Sequence, residues 1–99
     1  MLTNVEIQRA TCPPDKRVAR FSDSGGLYLE VSQAGSKRWF WKYYHLSKEK
    51  RLALGSYPEV TLKQARFARD DARKLLSTGV DPVQQRKADK AVASVSSAN

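Results

Sequence analysis

The sequence is poor in several things whose presence would open whole classes of function. Among 99 residues there is one cysteine, Cys12. A single thiol forms no intramolecular disulfide and lacks the second sulfur that a structural zinc site needs. A reducing, cytoplasmic setting is expected. There is one histidine, His45, with no clustered ligands, so neither metal nor cofactor is expected. No apolar run approaches the roughly 20 residues that cross a bilayer. The start, Met1-Leu2-Thr3-Asn4, has neither the charged nor the apolar region of a signal peptide, so a soluble, intracellular protein without a membrane partner is expected. Acidic residues are scarce too: ten, against 18 Lys and Arg, for a formal net charge of +8. Such an excess attracts polyanions. Nucleic acid leads, and anionic membranes and acidic proteins follow.

Catalytic patterns are also missing. Gly25-Gly26 is followed by no Lys-Ser/Thr pair and opens no helix, which excludes a phosphate-binding loop. Tyr28, Tyr43, Tyr44 and Tyr57 fall in strands or a turn, without the activating pocket that a tyrosine nucleophile requires. The chain by itself is expected not to be an enzyme.

What is present is one compact α+β pattern. Thr3 to Ala10 suits a short helix capped by Thr3 or Asn4 with Glu6 in its first turn, and Pro13-Pro14 stops it. Strands are expected at Arg17–Phe21, Leu27–Val31, Lys37–Tyr44 and Arg51–Leu54, with turns at Asp23–Gly26 and Ala34–Ser36 and a connection at His45–Glu49. Thr61-Leu62-Lys63-Gln64 is a capping box, in which the threonine oxygen accepts a first-turn amide and the glutamine reaches back. Leu62, Ala65, Ala68, Ala72, Leu75 and Leu76 follow at helical spacing, and Gly79 with Pro82 closes the helix. The expected fold is a three- to four-stranded antiparallel sheet packed on one long helix. Residues 1–83 form the domain, and 84–99 read as the start of a linker.

Alternation assigns the faces. Leu27, Leu29, Val31, Trp39, Trp41 and Tyr43 face the helix stripe. Tyr28, Glu30, Arg38, Phe40, Lys42, Tyr44 and Arg51 share the outer, exposed surface. That surface is basic and aromatic, as a nucleic-acid-binding surface is. With Lys37 and Lys50 from the same strands, these residues are the candidate DNA contacts. Glu30 is expected to orient Arg38 or Lys42. Arg66, Arg69 and Arg73 read as a solvated helix face, with the Arg69 stem lying along the apolar stripe. Phe67 projects from the polar side and marks a contact with another chain segment or protomer.

The run Asp23-Ser24-Gly25-Gly26-Leu27-Tyr28-Leu29-Glu30-Val31 comes first in an ordered set. Gly35-Ser36-Lys37-Arg38-Trp39, Leu52-Ala53-Leu54-Gly55-Ser56-Tyr57-Pro58, Thr61 to Arg66 and Gly79-Val80-Asp81-Pro82 follow. This set resembles the N-terminal, arm-site-binding domain of tyrosine-recombinase integrases from phages and pathogenicity islands, over roughly residues 2 to 88. The resemblance implies binding of duplex DNA at arm-type sites through the sheet in the major groove, in support of DNA integration and excision. It implies a bacterial, nucleoid-associated parent enzyme that meets other integrase protomers and carries its catalytic tyrosine in a C-terminal domain. The present chain then reads as an excised or truncated, monomeric domain. Ser24 replaces a usual glycine, the third-to-fourth strand loop lacks one, and Phe40 and Tyr44 stand where the family often has basic residues. The alternative is an RNA-binding module that stacks unpaired bases on the same face.

Overall fold

A computed structural model describes residues 1–97, with side chains up to Asp89. Four strands, β1 (Val18–Ser22), β2 (Leu27–Ser32), β3 (Lys37–His45) and β4 (Lys48–Tyr57), pair antiparallel in the order β1-β2-β3-β4. They are preceded by a short helix, α1 (Asn4–Arg9), and followed by α2 (Leu62–Ser77) and α3 (Pro82–Ser97). The α+β architecture is as the residue pattern implies, with the expected short α1 before the long helix and α3 added after it.

The capping chemistry sets α2. Gln64 N donates to Thr61 Oγ1 at 3.2 Å, and Thr61 N donates to Gln64 Oε1 at 2.9 Å, so two first-turn amides find partners. At the other end Gly79, at φ 88°, reverses the chain. Its amide donates to Leu76 O and the Val80 amide to Leu75 O, a Schellman closure that only a residue tolerant of positive φ completes without strain. Thr3 caps α1, its oxygen accepting from the Glu6 amide.

The core lies between the inner sheet face and the helices, in two clusters. Leu27, Leu29, Val31 and Trp39 meet Leu62 and Ala65 of α2, and α1 closes that end with Ile7 while Leu2 and Ala10 flank it. Trp41, Tyr43 and Leu52 meet Ala72, with Leu76 and Val83 beside them. Leu54 packs against both clusters. It can do so because a bulge shifts the register: Trp39 pairs with Gly55 but Phe40 pairs with Ala53, leaving Leu54 as the extra residue.

Both ends of β4 differ from the sequence reading. β4 is longer than Arg51–Leu54 because the connection into it is a two-residue hairpin turn rather than a loop. Leu46 and Ser47 take positive φ values of 51° and 64°, matching the type I′ turn that suits strand twist. The bulge and Gly55 carry the strand on to Tyr57. The tail from residue 84, read as the start of a linker, is helical. α3 starts at Pro82, whose missing amide costs nothing in a first turn, with Asp81 accepting from the Val83 amide at 3.0 Å. Asp81 is buried; it also accepts from the Tyr43 hydroxyl and pairs with Lys50. Burial pushes its carboxyl up, but Lys50, Tyr43 and the Val83 amide carry it down to about 2. Burial and that carboxylate push Tyr43 up to about 12.

Arg66, Arg69 and Arg73 do not form a solvated face. All three reach across to the β1–β2 turn. Arg66 grips Asp23 with two bonds, at 3.0 and 2.9 Å, and donates to Leu2 O. Arg69 donates to the carbonyl and hydroxyl of Ser24, and Arg73 to Gly25 O. Trp41 Nε1 joins at Gly25 O, 2.8 Å away. The Asp23 side chain is wholly buried and also accepts the Leu2 amide. Burial pushes its pKa up, but Arg66 and the amides of Leu2 and Ser24 hold the carboxyl well below the usual carboxylate range.

Trp39 is fully buried, with its indole nitrogen donating to Val60 O at 2.8 Å. Trp39→Ala is expected to cost about 3–5 kcal/mol; an unchanged thermal midpoint would mean that the two sheet faces are reversed. Replacing Leu46-Ser47 by Asn-Gly removes left-handed strain from two side chains and is expected to stabilise the domain by about 1 kcal/mol, a rise of about 4–8 °C in midpoint. Because Asp23 has a lowered folded-state pKa, its contribution is complete above pH about 4 and is lost as pH falls. Asp23→Asn should therefore lower stability at neutral pH by about 3 kcal/mol and flatten its decline in acid, as read by urea unfolding at pH 7 and pH 3.

Candidate nucleic-acid interface

The outer sheet face has no helix over it among the described residues. Register places Arg20 beside Glu30 and Glu30 beside Arg38, with Tyr28 beside Phe40 and Lys42 beside Arg51. The outer positions are thus filled in rows by cross-strand neighbours, each pair close enough to interact.

The middle row is aromatic. The Tyr28 and Phe40 rings stack with centroids 5.6 Å apart, and both residues are buried, at 8% and 6% exposure. The expectation of two exposed aromatics is corrected here. The reason lies above them: the Arg51 guanidinium sits 4.2 Å from the Phe40 centroid, and that of Arg20 sits 5.6 Å from Tyr28. A guanidinium is attracted to the negative face of an aromatic ring and is weakly hydrated, so it covers the ring at little cost. Arg51 also donates to the Tyr28 hydroxyl.

Glu30 lies between the two arginines. Its Oε1 accepts Arg20 Nε at 3.3 Å and Arg51 NH1 at 3.4 Å. It therefore orients Arg20 and Arg51 rather than the expected Arg38 or Lys42. A long Arg51 side chain crosses β3 to reach it, which sequence spacing does not reveal. Arg38 is exposed and, among the described residues, makes no ion pair. Lys42 pairs with Glu49 at 2.7 Å, both exposed. Their hydrogen bond raises the lysine's pKa and lowers the glutamate's, so both stay charged. Tyr44 is 64% exposed, and its hydroxyl meets Glu49. Together Arg17, Arg20, Tyr28, Glu30, Lys42 and Arg51 line much of an open basin of about 580 Å³.

Two residues expected with this set have inner positions, although Lys50 still borders the basin. Lys37 and Lys50 occupy inner positions, opposite Tyr57 and Tyr43. Lys37 Nζ donates to the carbonyls of Ile7 and Gln8, where a cation complements the free carbonyls at the end of α1. Lys50 is held by Asp81. Conversely, Arg20 was missing from the expected set. The signal was available: Ala19 and Phe21 alternate with it, so an inward Phe21 sends Arg20 outward. Trp39, Trp41 and Tyr43 are core residues, with Trp41 and Tyr43 stacked 4.7 Å apart on the helix side.

Residues 2–89 match the family model described as an arm DNA-binding domain. The chain belongs to that family. The domain is 52% identical over 84 residues to the integrase of Enterobacteria phage P4, covering 82% of this chain and 19% of the phage protein. It is 43% identical over 88 residues to the integrase of Shigella phage Sf6, covering 89% of this chain and 22% of that protein. A prophage integrase of Escherichia coli strain K12 matches equally, at 43% over 88 residues with the same coverage. The chain thus spans about a fifth of the length of these relatives. The arm domain also has no helix, among the described residues, that is long and apolar enough to cross a membrane, and those residues contain no cluster of metal-ligating side chains.

Proposed function

We propose that this arm domain binds duplex DNA sequence-specifically at arm-type sites, with the outer face of the sheet in the major groove. The observation that carries the reading is the guanidinium and ammonium array of Arg20, Arg38, Lys42 and Arg51 on an uncovered face of an arm DNA-binding domain. At a spacing of about 4.8 Å the four strands span about 14 Å from β1 to β4, and the major groove, about 12 Å wide, admits part of that face. Exposed cations neutralise phosphates and release counterions, which supplies affinity without sequence preference. Base edges supply the preference. The domain is a binding module without catalysis of its own. It holds arm sites for a parent integrase whose other domains carry out strand exchange in company with further protomers, while the isolated domain is a monomer. Linking an arm-site binder to a second DNA-binding domain raises the effective concentration of one site near the other.

The alternative of an RNA-stacking platform is weakened by the middle row. Tyr28 and Phe40 stack on each other beneath two arginines, leaving neither ring face open for a base. Lys37 and Lys50 are left out of the proposed contact set because both occupy inner positions of the sheet, where Lys37 meets the end of α1 and Lys50 meets Asp81.

The test is a fluorescence-anisotropy titration against random duplex, arm-site duplex and single-stranded RNA at two salt concentrations. A preference for arm-site duplex that persists at the higher salt is expected. Lys42→Ala should weaken all duplex binding and reduce the slope of log affinity against log salt by about one. Glu49→Gln, which releases Lys42, should strengthen it. Equal affinity of Lys42→Ala and the parent for duplex would remove Lys42 from the interface.

A further inference from the structure

The outer face holds one arrangement that phosphate attraction alone does not require. Glu30 places a carboxylate, whose side chain is 15% exposed, in the middle of a mostly basic surface. A carboxylate there repels phosphate and cancels one of the cations beside it. As a stability device it contributes little, because cross-strand ion pairs with half-exposed arginines are worth a fraction of a kcal/mol. What it does geometrically is fix two guanidiniums. Among the described residues Arg20 is hydrogen-bonded through Nε, and its two terminal nitrogens have no partner. Among the described residues Arg51 is hydrogen-bonded through NH1, to Glu30 and to the Tyr28 hydroxyl, which leaves its Nε and NH2. Each arginine thus keeps two adjacent donors, the fork that matches the paired O6 and N7 acceptors of guanine in the major groove. The rings of Tyr28 and Phe40 form the floor beneath both forks. Restraint of the stem before binding reduces the rotamer entropy lost on contact.

We infer that Arg20 and Arg51 are the guanine-reading residues of this domain, and that Glu30, with the Tyr28–Phe40 floor, is the positioning residue that converts them from phosphate binders into base readers. The inference rests on the duplex-binding reading above and names its specificity-determining part. Arg38 and Lys42, which lie outside the triad, supply phosphate affinity. Glu30 trades non-specific affinity for discrimination. Removing its charge is therefore expected to move the two in opposite directions.

The experiment uses the 99-residue chain and a duplex that it selects from a randomised library. Within the selected site, guanines are replaced one at a time by 7-deazaguanine, which pairs normally but lacks the N7 acceptor. At one or two guanines the replacement should weaken binding by the parent about tenfold, and Arg51→Ala or Arg20→Ala should abolish sensitivity at its own guanine. Glu30→Gln, which keeps the shape and a hydrogen-bonding oxygen, should bind random duplex as tightly as the parent or more tightly, while its preference for the selected site falls about tenfold or more. Circular dichroism of each variant checks folding, and the deaza series with the parent needs no variant at all. Selection of a site insensitive to every deaza replacement would overturn the inference while leaving the duplex-binding reading intact. So would a Glu30→Gln chain whose preference is unchanged. Failure of the parent to prefer any duplex over random sequence or RNA would overturn both.

Discussion

The structure depends on one buried carboxylate. Asp23 sits in the β1–β2 turn with no exposed side-chain surface, between the Arg66 and Arg69 guanidiniums of α2 and the amide of Leu2. A small domain buries only a modest share of its surface, and the α2–sheet interface relies on small residues such as Ala65 and Ala72. Such a seam brings the helix close but says little about its register along the sheet. The directional contacts supply that register: Arg66, Arg69 and Arg73 meet successive positions of one turn. The same turn accepts Trp41 from β3, and the Gly26 carbonyl accepts the Lys42 amide. Gly26, at φ 89°, has backbone so close to Lys42 O that a side chain there would collide with it. The N-terminal segment, the first hairpin, the central strand and the long helix are therefore tied at one place.

That tie consumes basic residues on the helix side and leaves others for the opposite face. The net charge of +8 is not spread evenly in function. Arg66, Arg69, Lys37 and Lys50 are engaged in internal contacts, at the turn, at the end of α1 and at the start of α3. Arg20, Arg38, Lys42 and Arg51 remain on the outer sheet, where the β3–β4 bulge adjusts the register between the two strands that carry most of them. An aromatic pair normally signals core. Here Tyr28 and Phe40 act as a second, thin apolar layer on the far side of the sheet, closed by arginine stems and planes instead of by another helix.

Much of this was legible in the residue pattern. The period-2 alternation of Leu27 to Val31 and Lys37 to Tyr44 separates the two faces, because strand side chains alternate whatever the surroundings. The capping box at Thr61 and the glycine at 79 delimit α2, because both act through local hydrogen bonds. The order of these motifs along the chain carried the family. Less legible were features that join distant residues. Leu46-Ser47 has no glycine to announce a tight turn, yet strand pairing on both sides holds it at positive φ. A tail with weak helical character becomes α3 because Asp81 and Pro82 start it and Val83 packs at the sheet. The same alternation puts Arg20 on the outer face and Lys37 and Lys50 on the inner one.

The sequence by itself determined the class of fold, the limits of its long helix, the composition of each sheet face and the family. These follow from interactions of short range: backbone periodicity, caps and turns. Only the tertiary structure decided how the charges are used. Whether an arginine caps a turn, covers a ring or remains open to a partner depends on which residues come within a few ångströms across strands and between layers. Arg66 is separated from Asp23 by 43 positions and Arg51 from Glu30 by 21. A long, flexible side chain chooses among several partners by packing and desolvation, and those are properties of the assembled fold.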